Sequence, residues 1–167
     1  RFASDAASFW SAGYIANHYG YAGVYDLELM AQAQLPLLPE IPNSPFTVHP
    51  IPTPYLPIFL LPFQLFALVP PIPAAIAWIL GNAIGTVLYI RAFVRRATGQ
   101  PPGPRTLALL LISAPVFLNL FTGQVNLLLM VGMGEFLLAS QQGKPLHAGL
   151  WLGLLLIVAP IGARLIG

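Results

Sequence analysis

The sequence contains no cysteine, which excludes disulfides and thiol chemistry. Charge is nearly as scarce. Asp, Glu, Lys and Arg make up 7% of the 167 residues, against about 25% in soluble domains. No charged residue lies between Glu40 and Arg91, from Thr106 to Gly134, or from Pro145 to Ala163. That leaves too little polar surface to cover a water-soluble globule. The three histidines, His18, His49 and His147, are far apart and lack ligand spacing, so no metal site is expected. A strong basic excess is missing too, since the net charge is only +2. Arg91, Arg95, Arg96 and Arg105 sit between two apolar runs. That is the pattern of a cytoplasmic loop under the positive-inside rule, so no nucleic-acid partner is expected.

What is present is apolar. Hydrophobic residues make up 57% of the chain and mean hydropathy is +0.76. A membrane-crossing helix needs about 20 apolar residues. Each charge-free run can supply a crossing, and the first two have room for more. The expected fold class is therefore all-α: a polytopic transmembrane helical bundle with interfacial helices in a large external loop. Residues 1–54 are read as that loop and 55–167 as the transmembrane region, with about four or five membrane segments. The chain begins at Arg1 without Met and shows no signal peptide. It is read as an internal fragment of one larger domain, with a first membrane helix expected upstream.

Local patterns fill in this outline. Residues 4–19 predict a short helix with Ser4 as N-cap and Asp5 in the first turn, where the helix dipole favours a carboxylate. Asp5, Phe9, Ala12 and Ala16 fall on one face, and the segment suits the membrane interface. Asp26 to Gln34 predicts two or three helical turns, with Asp26 and Glu28 as a solvated pair. A proline-rich loop follows, through Pro54. Residues 55–71 are apolar but interrupted by Pro57, Pro62, Pro70 and Pro71. Residues 73–94 predict a helix with Trp78 and Tyr89 near its ends, and 95–105 a basic loop. Helices are expected over 106–121, 124–140 and 146–166, the last broken near Pro160. With the basic loop in the cytoplasm, 55–71 lies in the interface or re-enters. The alternative is that it crosses and the basic loop is external.

Three polar features stand out. Asp5 opens a short aromatic helix, as a surface catalytic carboxylate or as a dipole-favoured acid. Asn119, Thr122, Gly123, Gln124 and Asn126 cluster at one helix-to-helix break. Such groups need partners near a membrane core, either in a sugar or phosphate ligand or in neighbouring helices. Glu135 is the one acid inside an apolar helix, a candidate by position.

The motifs fall in a definite order. It runs from Asp5 with Phe9, Trp10, Ala12 and Gly13, through Tyr25-Asp26 and Tyr55-x-Pro57, to a helix ending in arginines. Ser113-Ala114-Pro115 then leads to Asn119, followed by Gly123-Gln124-Val125-Asn126-Leu127 and by Lys144-Pro145 ahead of Gly149 to Gly153. This order resembles glycosyltransferase family 87, in the C-type superfamily of membrane glycosyltransferases. The resemblance implies a C-type glycosyltransferase-like fold in the cytoplasmic membrane, multi-pass, with its active site facing outside. It implies an inverting enzyme that moves a mannose- or arabinose-like sugar from a polyprenyl-phosphate donor to an envelope glycolipid or glycan. Asp5 matches the catalytic base. Trp10, Tyr55, Asn119, Gln124 and Asn126 are the expected substrate-binding residues. The partners are then the lipid-linked donor, the acceptor and membrane lipid, with no cofactor. One departure is visible: where family members often carry Lys-Pro late in the last helix, this chain has Ala159-Pro160, with Arg164 beyond. The alternatives are a transporter or flippase-like protein, favoured by Pro-interrupted helices, and a non-catalytic membrane subunit.

Overall fold

The computed structural model describes residues 4–37 and 50–158. Every regular element among them is a helix. In order these are α1 (Ser4–Gly23), α2 (Leu27–Gln34), α3 (Pro57–Phe66), α4 (Pro71–Thr98), α5 (Pro104–Leu111), α6 (Ala114–Thr122), α7 (Asn126–Gln141) and α8 (Pro145–Val158). Several of the prolines that interrupt the sequence start helices. Pro57, Pro71, Pro104 and Pro115 each occupy a first or second helical position, where the missing N–H costs no intrahelical bond.

Two sequence expectations shift and a third is refined. Helix α4 does not stop before the arginines; it carries Arg95 and Arg96 in its last turn and ends at Gly99. Arg and Ala favour helix, so the basic loop shrinks to residues 99–103. The single helix expected over 106–121 is two, α5 and α6, bent by 57°. Pro115 accounts for the break, because a proline ring clashes with the carbonyl four residues earlier. Asp26 is exposed, as Glu28 is, but it serves as the cap of α2: its Oδ1 accepts from the Glu28 and Leu29 amides at 2.8 and 3.2 Å. The break expected near Pro160 falls outside the described residues, as do Ala159, Arg164, His49 and most of the proline-rich loop.

The core lies where α1 meets α2 and α3. Phe9, Ala12, Ile15 and Ala16 of α1 are buried, close to the face read from spacing. Phe9 stacks on Phe63 at 4.7 Å between ring centroids, and Trp78 packs beside Phe63 at 5.2 Å. Gly13 permits this approach, since a Cβ there would stand 2.0 Å from the Phe63 carbonyl oxygen. Polar ties hold the same junction. The Tyr21 hydroxyl donates to Gln64 Oε1 at 2.7 Å, and Asn17 Nδ2 donates to the Gln64 carbonyl at 3.0 Å.

Helices α4 and α7 run parallel. Trp78 meets Gly123 at one end, Tyr89 donates to the Val131 carbonyl midway, and Arg96 pairs with Glu135 at the other end. The intervening chain must therefore travel back, and the bent pair α5–α6 makes that return. Helix α8 folds back on α7, with Gly132 against Leu155.

By length and composition α4 is the one helix among the described residues able to cross a membrane, and the α5–α6 pair taken together is a second. The all-helical expectation is met; the several crossings expected are not established by this count. Helix α4 has 28 residues, about 40 Å at 1.5 Å per residue. Its exposed surface carries Ile72, Ile76, Leu80, Ile84 and Leu88 in one row, each more than half exposed. An apolar row of that length calls for an apolar environment.

Candidate active site

Asp5 lies in the first turn of α1 and is half-buried. One turn later, Ser8 sits on the same side and its Oγ donates to the Ile51 carbonyl at 3.3 Å. Opposite is the turn between α6 and α7. Gly123 caps α6 with φ +74°, a left-handed conformation open to glycine. Its packing against Ala6 is equally demanding, as a Cβ would come within 2.8 Å of the Ala6 Cβ. The Trp78 indole Nε1 donates to the Gly123 carbonyl at 2.8 Å, fixing the turn against α4.

This turn presents Gln124 and Asn126 to Asp5. Asn126 Nδ2 donates to Gln124 Oε1, so the Gln124 amide nitrogen is left for Asp5, with which it hydrogen-bonds. The Thr122 hydroxyl has one proton and two acceptors in reach, the Asp5 carboxylate and the Leu118 carbonyl at 3.0 Å. Burial raises the Asp5 carboxyl above its ordinary value, and the Gln124 and Thr122 bonds oppose that rise by favouring the charged form. Burial, and then the charge of Asp5, also raise the Tyr55 phenol, which keeps it a neutral O–H group.

Together these residues surround an open cleft of about 360 Å³, whose walls include Asp5, Ser8, Tyr55, Gln124 and Asn126. Its remaining wall is the returning chain at Ile51, Pro52 and Pro54. Gln34, almost fully buried, pins that chain: its Nε2 donates to the Ile51 carbonyl at 2.9 Å and its Oε1 accepts from the Ile51 amide at 2.8 Å. A carboxylate of raised basicity beside amide and phenol donors can accept a proton from a bound hydroxyl.

Four of the six expected site residues, Asp5, Tyr55, Gln124 and Asn126, thus line one cleft. Asn119 does not. It is buried, and its Oδ1 accepts from the Asn126 amide at 3.2 Å, so it orients Asn126 from behind. It lines a smaller cavity of about 190 Å³ with Thr86 and Asn126. Trp10 is also elsewhere. Its indole donates to the Val69 carbonyl at 2.8 Å and its ring stacks on Tyr14, tying α1 to the link between α3 and α4. Glu135 is far along α7 from the cleft and paired with Arg96. Ser8, Gln34 and the irregular segment at Ile51 were missed. Ser8 was within reach of sequence, three residues from Asp5 on a predicted helix. Gln34 and Ile51 carry no local signal.

The pattern of glycosyltransferase family 87 matches residues 53–166, more than half of the chain, and the chain belongs to that family. By class it is a membrane glycosyltransferase. Tyr55, Asn119, Gln124 and Asn126 fall within the matched stretch, whereas Asp5 and Trp10 precede it. No curated protein and no solved structure matches the chain.

Proposed function

We propose that this protein transfers a mannose- or arabinose-like sugar from a polyprenyl-phosphate donor to an envelope glycolipid or glycan, with Asp5 as general base. One observation carries the assignment: a half-buried carboxylate, raised above its ordinary pKa, faces an open cleft lined by the amides of Gln124 and Asn126 and the phenol of Tyr55. In the reaction, an acceptor hydroxyl oxygen attacks the anomeric carbon while the bond from that carbon to the phosphate oxygen breaks. The hydroxyl proton passes to Asp5, and polyprenyl phosphate leaves with the bonding electron pair. A single displacement inverts the anomeric centre. The leaving group is already an anion, so no second acid is needed. Gln124 and Asn126 supply hydrogen-bond donors and acceptors for the sugar.

The protein is a multi-pass component of the cytoplasmic membrane in this reading, with the cleft on the outer face and residues 99–103 inside. The parallel run of α4 and α7 supports it, because the α5–α6 return then puts the Gly123 turn and the basic loop on opposite sides. Helix α3, with 10 residues, spans about 15 Å, half the hydrocarbon thickness of roughly 30 Å. That length supports an interfacial or re-entrant 55–71.

The test is sugar transfer by full-length protein in membranes, using radiolabelled polyprenyl-phosphate sugars, with Asp5→Asn alongside. Transfer by the wild type that falls by about 10²-fold or more in the variant is the expected result. Undiminished transfer by Asp5→Asn sinks the base assignment. Transmembrane movement of the lipid-linked sugar without transfer points to the flippase-like alternative.

A further inference from the structure

The end of the bundle away from the Asp5 cleft collects the charge of residues 55–158. Arg91, Arg95 and Arg96 close α4, Arg105 opens α5, Lys144 lies in the α7–α8 turn, and Glu135 is the one acid in this stretch. Where α4, α7 and α8 converge there, a cavity of about 280 Å³ is lined by Arg96, Glu135, Gln142, Lys144, His147 and Trp151.

Two of these charges cancel. Arg96 grips the Glu135 carboxylate with both terminal guanidinium nitrogens. Lys144 has no acidic partner among the described residues. Its Nζ donates to Gln142 Oε1 at 2.8 Å, a contact that holds the side chain at the cavity without neutralising it. His147, in the first turn of α8, and Trp151, one turn on, add ring N–H groups. An uncompensated ammonium beside neutral donors is a donor set for an oxyanion. The adjoining face of α8 carries Leu146, Leu150 and Leu154, all exposed, a four-residue spacing that forms an apolar track leading from the cavity.

We propose that this cavity binds a phosphate group, supplied by the headgroup of an anionic phospholipid in the leaflet at that end. The phosphate sits against Lys144 and His147, and the acyl chains lie along Leu146, Leu150 and Leu154. Free inorganic phosphate satisfies the same donors but leaves the apolar track unused. The proposal depends on the membrane setting of the family and not on the chemistry of Asp5, so the two fail separately.

Native mass spectrometry of the detergent-solubilised full-length protein tests it, with phosphatidylglycerol, phosphatidylcholine or inorganic phosphate added in turn. Lys144→Gln and His147→Gln are compared with Arg105→Gln, which removes a charge outside the cavity. All three replace exposed side chains, and thermal unfolding checks that each folds. The expected result is a phosphatidylglycerol adduct favoured about tenfold over phosphatidylcholine, lost in Lys144→Gln, reduced in His147→Gln and kept in Arg105→Gln. Equal occupancy by the two lipids overturns the site. Equal loss in Arg105→Gln overturns it too, by reducing the preference to the general field of that end. Retention of inorganic phosphate without any lipid preference overturns the lipid source.

Discussion

The Trp78 indole donates its N–H to the Gly123 carbonyl at 2.8 Å, so the longest apolar helix holds the turn that carries Gln124. Trp78 also packs against Phe63 and Phe66. Trp78→Phe keeps a ring in that cluster and removes the donor. A partly buried hydrogen bond of this kind contributes about 1 kcal/mol. We expect a small drop in thermal stability in detergent and a larger fall in sugar transfer, of up to about 10²-fold if the turn shifts by about 1 Å. Transfer unchanged in a correctly folded variant would show that the turn keeps its position without the bond.

The cleft carries a pH signature. The Gln124 bond favours the charged form of Asp5, so Gln124→Leu raises the carboxyl further. The acid limb of the transfer rate, where the base becomes protonated, moves to higher pH. Thr122→Val acts in the same direction. A limb that stays in place in both variants assigns the titrating base to another group.

The same burial affects stability. A carboxyl whose folded pKa lies above its ordinary value of 3.8 is less comfortable charged in the folded state than in the unfolded chain. That penalty is fully present above the folded pKa and disappears as the pH falls below 3.8. Asp5→Asn removes it. The variant is therefore expected to unfold at a slightly higher temperature than wild type at neutral pH, an advantage that vanishes in acid, while transfer falls by about 10²-fold or more. Lower stability at neutral pH would mean that the charged form makes favourable contacts outweighing its desolvation.

Gln34 is the strongest anchor of the cleft's outer wall. Gln34→Leu leaves the Ile51 amide and carbonyl without this partner and costs about 1–3 kcal/mol. Loosening the wall at Pro52 and Pro54 raises the KM for substrate with little change in kcat. Steady-state kinetics checks this, and an equal fall in kcat would place Gln34 in the chemistry instead.

Two glycines separate close packing from mere helix composition. Gly13→Ala forces a methyl group to within 2.0 Å of the Phe63 carbonyl, driving α1 from α3 at about 1–3 kcal/mol or more. At Gly81 nothing lies within 4 Å of the added atom. Gly81→Ala is expected to be neutral or slightly stabilising. Unfolding temperatures of the two variants in the same detergent give the comparison.

Much of this protein is written locally. The lack of charge through 41–90 and the spacing of Phe9, Ala12 and Ala16 foretold apolar helices and the buried side of α1. The order of Asp5, Tyr55, Asn119, Gln124 and Asn126 pointed to the family, whose pattern then matched most of the chain. The errors were also local. The basic loop was drawn too long because arginine counts as a loop signal in membrane topology, although it is a good helix former. The α5–α6 bend was overlooked although Pro115 was in plain view.

Sequence alone thus determined the helical class, the segregation of charge to one end and the types of residue available for catalysis, because these follow from composition and from periods of a few residues. Tertiary structure decided which of those residues meet. Trp10, an attractive aromatic beside Asp5 in sequence, is tied to Val69 instead. Gln34, which nothing in its own segment distinguishes, holds a wall of the cleft. Asp5 and Gln124 come together because α1 packs across the α6–α7 turn, with Gly123 close against Ala6. Contacts so distant along the chain depend on shape complementarity between whole helices, which no short window of sequence encodes.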